Sequence, residues 1–511
     1  MSTSRAHHFT LNMASGILYQ VLVLILNFVS RIIFIRTLGV ELLGINGLFS
    51  NILSVLALAE LGMGNAFVYS MYKPLAAQDT ARLTALLNYF RKLYYGIAAV
   101  VTVLGLAMIP FLKYFIHLEQ PVPHTTIYYL LILFNVVASY LFVCRTSIVI
   151  ADQKAYKLKI YNMVFVVFRF ILQIIVLLTL QSFLLYLLVQ IACVLAINIM
   201  SVRKTVQLYP FINGRDQLDK GSKREIWNTI RSFFWYQIGG VILNNTDNIL
   251  ISILLGTIWV GYYSNYSLII TQIVGFIGII FTAFQAAIGS INVEANPERQ
   301  YFMFRVINLV SFWLHGFCTI CLVLLLNDFI ALWVGSSLAM DAWTVYMAVA
   351  VFYIQGMLQP IGAFRQSSDL FKDTKAVMLY ASIINLALSV WWGMAFGLAG
   401  ILAATAAARL ATNIWYEPYK LYQRFFKRPA ASYLLGELGH AAVLIGVGTL
   451  TFLAVQGIHL SNPYLNFGSR LLVCAVAVNT GFYLSFRKTE EFKYVLGRAV
   501  NLVVKKAGKA A

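Results

Sequence analysis

Four arginines, Arg31, Arg145, Arg169 and Arg409, interrupt runs of residues that are otherwise apolar. A guanidinium is a planar fork of donors that grips phosphate or carboxylate oxygens two at a time. Arginines turned toward an internal cavity would therefore hold a phosphate-bearing anion. The alternative is structural: an arginine that snorkels to an interface, as Arg145 near one end of its run is placed to do, or one paired with a carboxylate. Two carboxylates share these surroundings. Glu60 is expected to pair with one of the arginines rather than to touch a ligand. Asp247 is the only acid in the interior of its own run, a setting in which carboxylates usually hold an ion or a proton, or neutralise a buried arginine.

The elements that must carry these residues follow from composition. The chain has 511 residues, 60% hydrophobic and 11% charged, with mean hydropathy +0.78, which excludes an ordinary water-soluble globule and predicts an all-α integral membrane protein. At about 20 residues per crossing, the apolar runs divide into fourteen spans. These lie near 12–37, 44–72, 84–112, 125–150, 159–180, 182–203, 228–254, 258–289, 302–326, 342–365, 375–395, 398–422, 433–456 and 464–486. A charge at the centre of such a span costs roughly 2.5–3.5 kcal/mol on insertion scales, so something must offset each intramembrane arginine. The run after Asn12 is as long as a full span and is not followed by a small-residue cleavage site, so it reads as the first helix rather than a signal peptide.

Charge fixes the expected orientation. Of the 38 Lys and Arg, all but seven are assigned to the terminal segments and to the even-numbered connections with the span ends that adjoin them. The exceptions are Lys113, clearly in an odd-numbered connection, and Arg31, Arg36, Arg145, Arg169, Arg409 and Arg470. Such asymmetry predicts both termini in the cytoplasm. It also accounts for the net charge of +19 through insertion topology and anionic headgroups, without nucleic acid as a partner.

Several chemistries are excluded. The five cysteines, Cys144, Cys193, Cys318, Cys321 and Cys474, all lie in apolar stretches, so the Cys318–Cys321 pair reads as packing rather than a metal or disulfide site. There is no Walker A sequence and no His or Cys ligand cluster. The odd-numbered connections are too short to form a catalytic domain.

The chain also repeats itself. Leu38-Gly39-Val-Glu-Leu-Leu-Gly44 recurs 217 residues later as Leu255-Gly256-Thr-Ile-Trp-Val-Gly261, each time after the first helix of a half. With six spans per half, an even number, the halves are expected to be parallel repeats about an axis along the membrane normal. The expected division is a six-helix half at 1–205, a cytoplasmic linker at 206–227, a second six-helix half at 228–430, an accessory helix pair at 431–487 and a basic cytoplasmic tail at 488–511.

Several motifs carry a family likeness. Ser30-Arg31-Ile-Ile-Phe-Ile-Arg36-Thr-Leu-Gly39, Leu43-Gly44-Ile-Asn-Gly47, Ala59-Glu60-Leu-Gly62-Met-Gly64 and Tyr72-Lys73-Pro74-Leu75 resemble polysaccharide biosynthesis (Wzx-type) transporters. So do Ala151-Asp152-Gln153-Lys154, Thr246-Asp247-Asn248, Val260-Gly261-Tyr-Tyr-Ser264-Asn265-Tyr266, Phe371-Lys372-Asp373-Thr374-Lys375 and Glu417-Pro418. That superfamily also holds the lipid II flippase and the MATE drug exporters. The resemblance implies a V-shaped cavity between the two halves, opening alternately to either side of a bacterial cytoplasmic membrane while an undecaprenyl-pyrophosphate-linked oligosaccharide is turned over. It implies glycosyltransferases and a polymerase as pathway partners, and capsule, exopolysaccharide or cell-wall polymer as the product. Arg31, Arg145, Arg169, Arg409 and Glu60 would line that cavity. No cofactor is expected beyond a coupling ion, Na+ or H+. In the lipid II branch sodium is held between the helices equivalent to spans 7, 11 and 12, which points to Asp247, Asn385 and Thr405 here. Ser389 stands where that branch has a second carboxylate, a change that weakens cation binding or favours protons. A MATE-type antiporter would share the fold, but a cationic drug is poorly matched to several arginines. A membrane glycosyltransferase or polymerase would need a large outside loop.

Overall fold

The structure, a computed structural model, describes residues 2–60, 63–118, 122–293, 296–367 and 371–507. Within lipid every backbone N–H and C=O must be satisfied by the segment itself, so long apolar runs become helices. No strand occurs among the described residues. The helices are α1 Ser2–Leu56, α2 Met63–Ala77, α3 Thr80–Ala107, α4 Leu112–Phe115, α5 Thr125–Ala151, α6 Tyr156–Thr179, α7 Phe183–Leu208, α8 Lys220–Asn245, α9 Asp247–Leu255 and α10 Thr257–Val293. They continue as α11 Pro297–Trp333, α12 Ala342–Met357, α13 Gln359–Ser367, α14 Phe371–Ala411, α15 Asn413–Leu421, α16 Ala431–Gln456, α17 Pro463–Phe486 and α18 Glu490–Ala507. Short polar side chains start several of them: Ser182 accepts from the Leu185 N–H, Asp219 from Ser222, Asp341 from Thr344, and Asn296 and Asn462 precede Pro297 and Pro463 at the first helical position.

Twelve helical segments among the described residues are long and apolar enough to cross a membrane. Two of them hold a break: α1 at Gly39 (φ +84°) and α14 at Gly397 (φ +62°). Each therefore contributes two spans, which reconciles twelve segments with the fourteen read from the sequence. Spans 2 and 7 are interrupted as well. A short 3-10 turn, Ala57–Glu60, follows α1, and α8 gives way to α9 at Thr246. Glu60 and Asp247 thus stand at breaks rather than inside continuous helices. Gly62 of the quoted run lies outside the described residues.

The chain forms two compact units, Met1–Ile279 and Ile280–Ala511, with the boundary inside α10. In the first, α1 packs on α6, and α5 lies against α3 and α7 around Phe49, Phe67, Phe90, Tyr94 and Tyr129. In the second, α12 lies against α11 and α14, and α17 against α11 and α16.

Two segments expected to be polar, the linker and the C-terminal tail, are docked. Between α7 and α8, residues 209–219 lie on α3: Asn88 Nδ2 donates to the carbonyls of Gly214 (2.9 Å) and Asp216 (3.1 Å), and Thr84 Oγ1 to that of Phe211 (3.0 Å). Tyr209 donates its hydroxyl to Asp152 at 2.5 Å. Burial, reinforced by that carboxylate, pushes the Tyr209 phenol well above its ordinary range. Beyond the last span, α18 folds back on α11, where Phe492 stacks on Trp313 at 5.5 Å and Glu491 pairs with Arg305.

Candidate functional site

The repeated glycines have a physical cause. Gly39 and Gly256 both adopt positive φ, +84° and +104°, which L side chains rarely do. Five residues on, Gly44 sits against the backbone of Thr257 and Gly261 against that of Val40. The contact is reciprocal, the residue after the first glycine of one motif meeting the second glycine of the other, so the two turns cross with no room for a Cβ. Thr257 fixes the crossing further. Its N–H donates to His117 O at 2.9 Å, and its hydroxyl accepts the His117 N–H at 3.0 Å and meets Ser252 Oγ at 2.8 Å.

About two turns before Gly39, Arg31 projects from α1 and donates Nη1 to Ser264 Oγ on α10 at 2.9 Å. Ser264 in turn donates to the Gly261 carbonyl at 2.7 Å, so the crossing positions the serine that orients the guanidinium. Beside it stands Tyr186 of α7, next to Ser30 and close to both Arg31 and Arg169 of α6. The Tyr186 ring is held edge-on by Phe34 at 5.3 Å and alongside Phe183 at 6.1 Å. Arg169 rests over the Phe170 ring at 5.2 Å, and its Nε is buried without a hydrogen-bond partner.

Two half-buried guanidinium groups thus flank one tyrosine hydroxyl, and among the described residues neither has a carboxylate partner. Glu60, expected to supply one, stands instead beside Tyr140, whose ring stacks on Tyr94 at 6.4 Å. Arg145 does not join the pair at Tyr186; it and Arg91 are the basic neighbours of Cys144. Arg409 is buried in the second unit, on α14.

Of the cation residues, three meet. The limbs of α14 on either side of Gly397 fold back, so that Asn385 Nδ2 donates to Ser389 Oγ at 3.2 Å and to Thr405 Oγ1 at 2.7 Å. All three are buried, and Asn385 Oδ1 has no partner. Asp247 belongs to the first unit, in the first turn of α9 beside Tyr263, where the free N–H groups of a helix start favour a negative charge.

Sequence reasoning missed a buried ion pair in the second unit. Arg365, assigned to a cytoplasmic connection, is 7% exposed and pairs with Glu417, 4% exposed, which also accepts from Asn413 Nδ2 at 2.8 Å. The correction has a simple cause: Arg365 closes an apolar run and reads as loop until its partner on α15 is seen. The side chains of Lys372 and Lys375, placed in the same connection, lie outside those described. Tyr186, one of 29 tyrosines, carried no signal of its own, although its neighbour Ser30 adjoins Arg31 in the quoted run.

No protein-family profile and no curated sequence matches the chain. Solved structures do. An inward closed lipid II flippase, MurJ, superposes with TM-score 0.63 at 12% identity, covering 92% of this chain and 99% of that one. An inward-facing multidrug resistance MATE family transporter of the MOP superfamily gives 0.63 at 14% identity, over 80% and 98%. The Vibrio cholerae MATE transporter VcmN gives 0.58 at 14% identity, over 83% and 98%. This chain is a multi-pass membrane protein with the fold of the MOP-superfamily transporters.

Proposed function

We propose that the chain is a flippase that moves undecaprenyl-pyrophosphate-linked oligosaccharide units across the bacterial cytoplasmic membrane by alternating access, with both termini cytoplasmic, for capsular, exopolysaccharide or cell-wall polymer assembly. The observation that carries this reading is the Arg31–Tyr186–Arg169 arrangement: two guanidinium groups without carboxylate partners, in apolar helices, around a hydroxyl. A pyrophosphate supplies the missing anion, and each charge-assisted hydrogen bond to it is worth about 1.5–3 kcal/mol. Glycosyltransferases and a polymerase are the pathway partners this substrate requires, before and after translocation. MurJ, named as a lipid II flippase, shares the fold, as do the MATE transporters. A pair of arginines without carboxylates favours an anionic lipid head over a cationic drug.

The reset of the carrier is assigned to a monovalent cation, Na+ or H+. Asn385 Oδ1, the Ser389 and Thr405 hydroxyls and the Asp247 carboxylate are the oxygens offered for it. The unpartnered Oδ1 fits a cation, whereas the three residues on α14 bring no carboxylate, so by themselves they bind it weakly.

The deciding experiment is flipping of a defined lipid-linked glycan in reconstituted vesicles. Arg31→Ala and Arg169→Ala should each slow it about 10–100-fold, the loss of one charge-assisted anchor. Arg31→Lys should restore part of the rate, because a point charge replaces a bidentate fork. Unchanged flipping by Arg31→Ala at normal expression overturns the assignment, as would export of a cationic drug that both variants preserve.

A further inference from the structure

A second site lies in the other unit, where α11, α16 and the α17–α18 junction come together. They line, with Tyr422 after α15, an open cavity of about 270 Å³. Its polar wall centres on Glu437. Asn308 Nδ2 donates to Glu437 Oε1 at 2.7 Å, and His440 Nδ1 faces the same oxygen at 3.3 Å. Asn308 is 6% exposed and Tyr433 is 4% exposed, yet Asn308 Oδ1 and the Tyr433 hydroxyl, on residues that both line the cavity, have no hydrogen-bond partner. Buried polar atoms in native proteins are rarely left unpaired unless a ligand or water completes them. Tyr301, Phe304, Tyr422 and Phe486 add aromatic side chains to the lining, beside Leu309, Ser432, Gly436 and Thr489. Tyr301 already has a cation on its ring, the Arg428 guanidinium at 4.2 Å. At the rim, Arg305 and Glu491 neutralise each other.

A carboxylate, two open oxygen acceptors and several aromatic faces are the combination that stabilises an ammonium ion, by hydrogen bonds on one side and cation–π attraction on the other. We propose that this cavity binds a primary ammonium group, its three N–H donors directed to Glu437, Asn308 Oδ1 and the Tyr433 hydroxyl. The lining residues 301–309, 432–440 and 486–491 fall at the ends of three membrane-spanning helices, which is headgroup depth. An aminophospholipid presents the required group there, and a free alkylammonium ion has the same chemistry. The site uses neither the arginines at Tyr186 nor Asn385, and it stands or falls independently of the flippase reading.

The test is native mass spectrometry of the full chain released from nanodiscs holding equal phosphatidylethanolamine, phosphatidylcholine and phosphatidylglycerol, alongside thermal unfolding with added ethanolamine. Wild type should retain phosphatidylethanolamine about tenfold over phosphatidylcholine, and Glu437→Gln and Tyr433→Phe should bring that ratio to near one. Tyr433→Phe keeps the ring and carries the test if Glu437→Gln does not fold. A rise in unfolding midpoint with ethanolamine, absent in Tyr433→Phe and without lipid selectivity, supports the free ion as the occupant. Equal retention of all three lipids with no ethanolamine response overturns the proposal. So does preferential retention of phosphatidylglycerol, or selectivity that both variants preserve.

Discussion

Adding one methyl group at the crossing of the repeated turns tests the architecture that positions Arg31. In Gly44→Ala the new Cβ would fall inside the van der Waals envelope of the Thr257 carbonyl oxygen, with Gly261 N at 3.1 Å and Thr257 C at 3.2 Å. Backbone is the obstacle on every side, so no side-chain rotation relieves it. Overpacking of this kind costs about 1–3 kcal/mol, and here α1 and α10 must separate by roughly 1 Å to restore ordinary contact distances. Gly261→Ala meets the Val40 backbone in the mirrored way. Once the first methyl has forced the helices apart, the second costs less, so the double variant should lose less stability than the sum of the singles. Thermal unfolding of the purified protein in detergent reads the stability, and transport in vesicles reads the consequence for the Arg31–Ser264 hydrogen bond. Gly44→Ala with an unchanged midpoint and unchanged transport would refute the crossing. Strict additivity would refute the shared contact.

Breaking the Arg365–Glu417 pair by Glu417→Gln leaves a buried guanidinium uncompensated, so stability should fall by about 3–5 kcal/mol, while the double variant Arg365→Met with Glu417→Met recovers most of it. A thermal-unfolding mutant cycle measures both, and equal losses in single and double variants would mean the charges are not coupled. Asp247→Asn should remove the dependence of reconstituted transport on a sodium or proton gradient while leaving substrate binding intact. Conversely, Ser389→Asp, which supplies the carboxylate missing from α14, should raise sodium affinity by about tenfold or more. Transport with each gradient imposed separately decides, and an unchanged gradient response in Asp247→Asn leaves that residue structural.

Much of the frame was legible because membrane helices are written in long apolar runs and their connections in charge. The glycine repeat was legible for a stricter reason: positive φ and backbone-to-backbone approach leave few residue choices at Gly39, Gly44, Gly256 and Gly261. The pairing of Asn385 with Thr405 was expected only from the resemblance to the lipid II branch; in the structure the turn at Gly397 brings the two side chains together. What sequence did not carry was partnership at long range. Arg365 and Glu417 are 52 residues apart with the whole of α14 between them, and nothing local pairs one with the other. Glu60 met a tyrosine instead of an arginine because helix rotation, which composition does not encode, decides which side chains face each other. The interruption at Thr246 has a local mark, the polar run Asn244-Asn245-Thr246-Asp247-Asn248, but the apolar stretches on either side are each too short to cross alone and read together as one span.

The reciprocal glycine contact also sets an order of events during synthesis. Gly44 emerges from the ribosome long before Thr257 and Gly261, its counterparts. The interval is roughly 200 residues, or about 10–40 s at 5–20 residues per second. Throughout that time Ser264, the serine that orients Arg31, does not yet exist, and a guanidinium must wait within the apolar first helix. The early helices therefore need a temporary host, either the insertion machinery itself or a provisional pairing that α10 later displaces. The Arg31–Ser264 hydrogen bond closes only when the second repeat arrives to pack on the first.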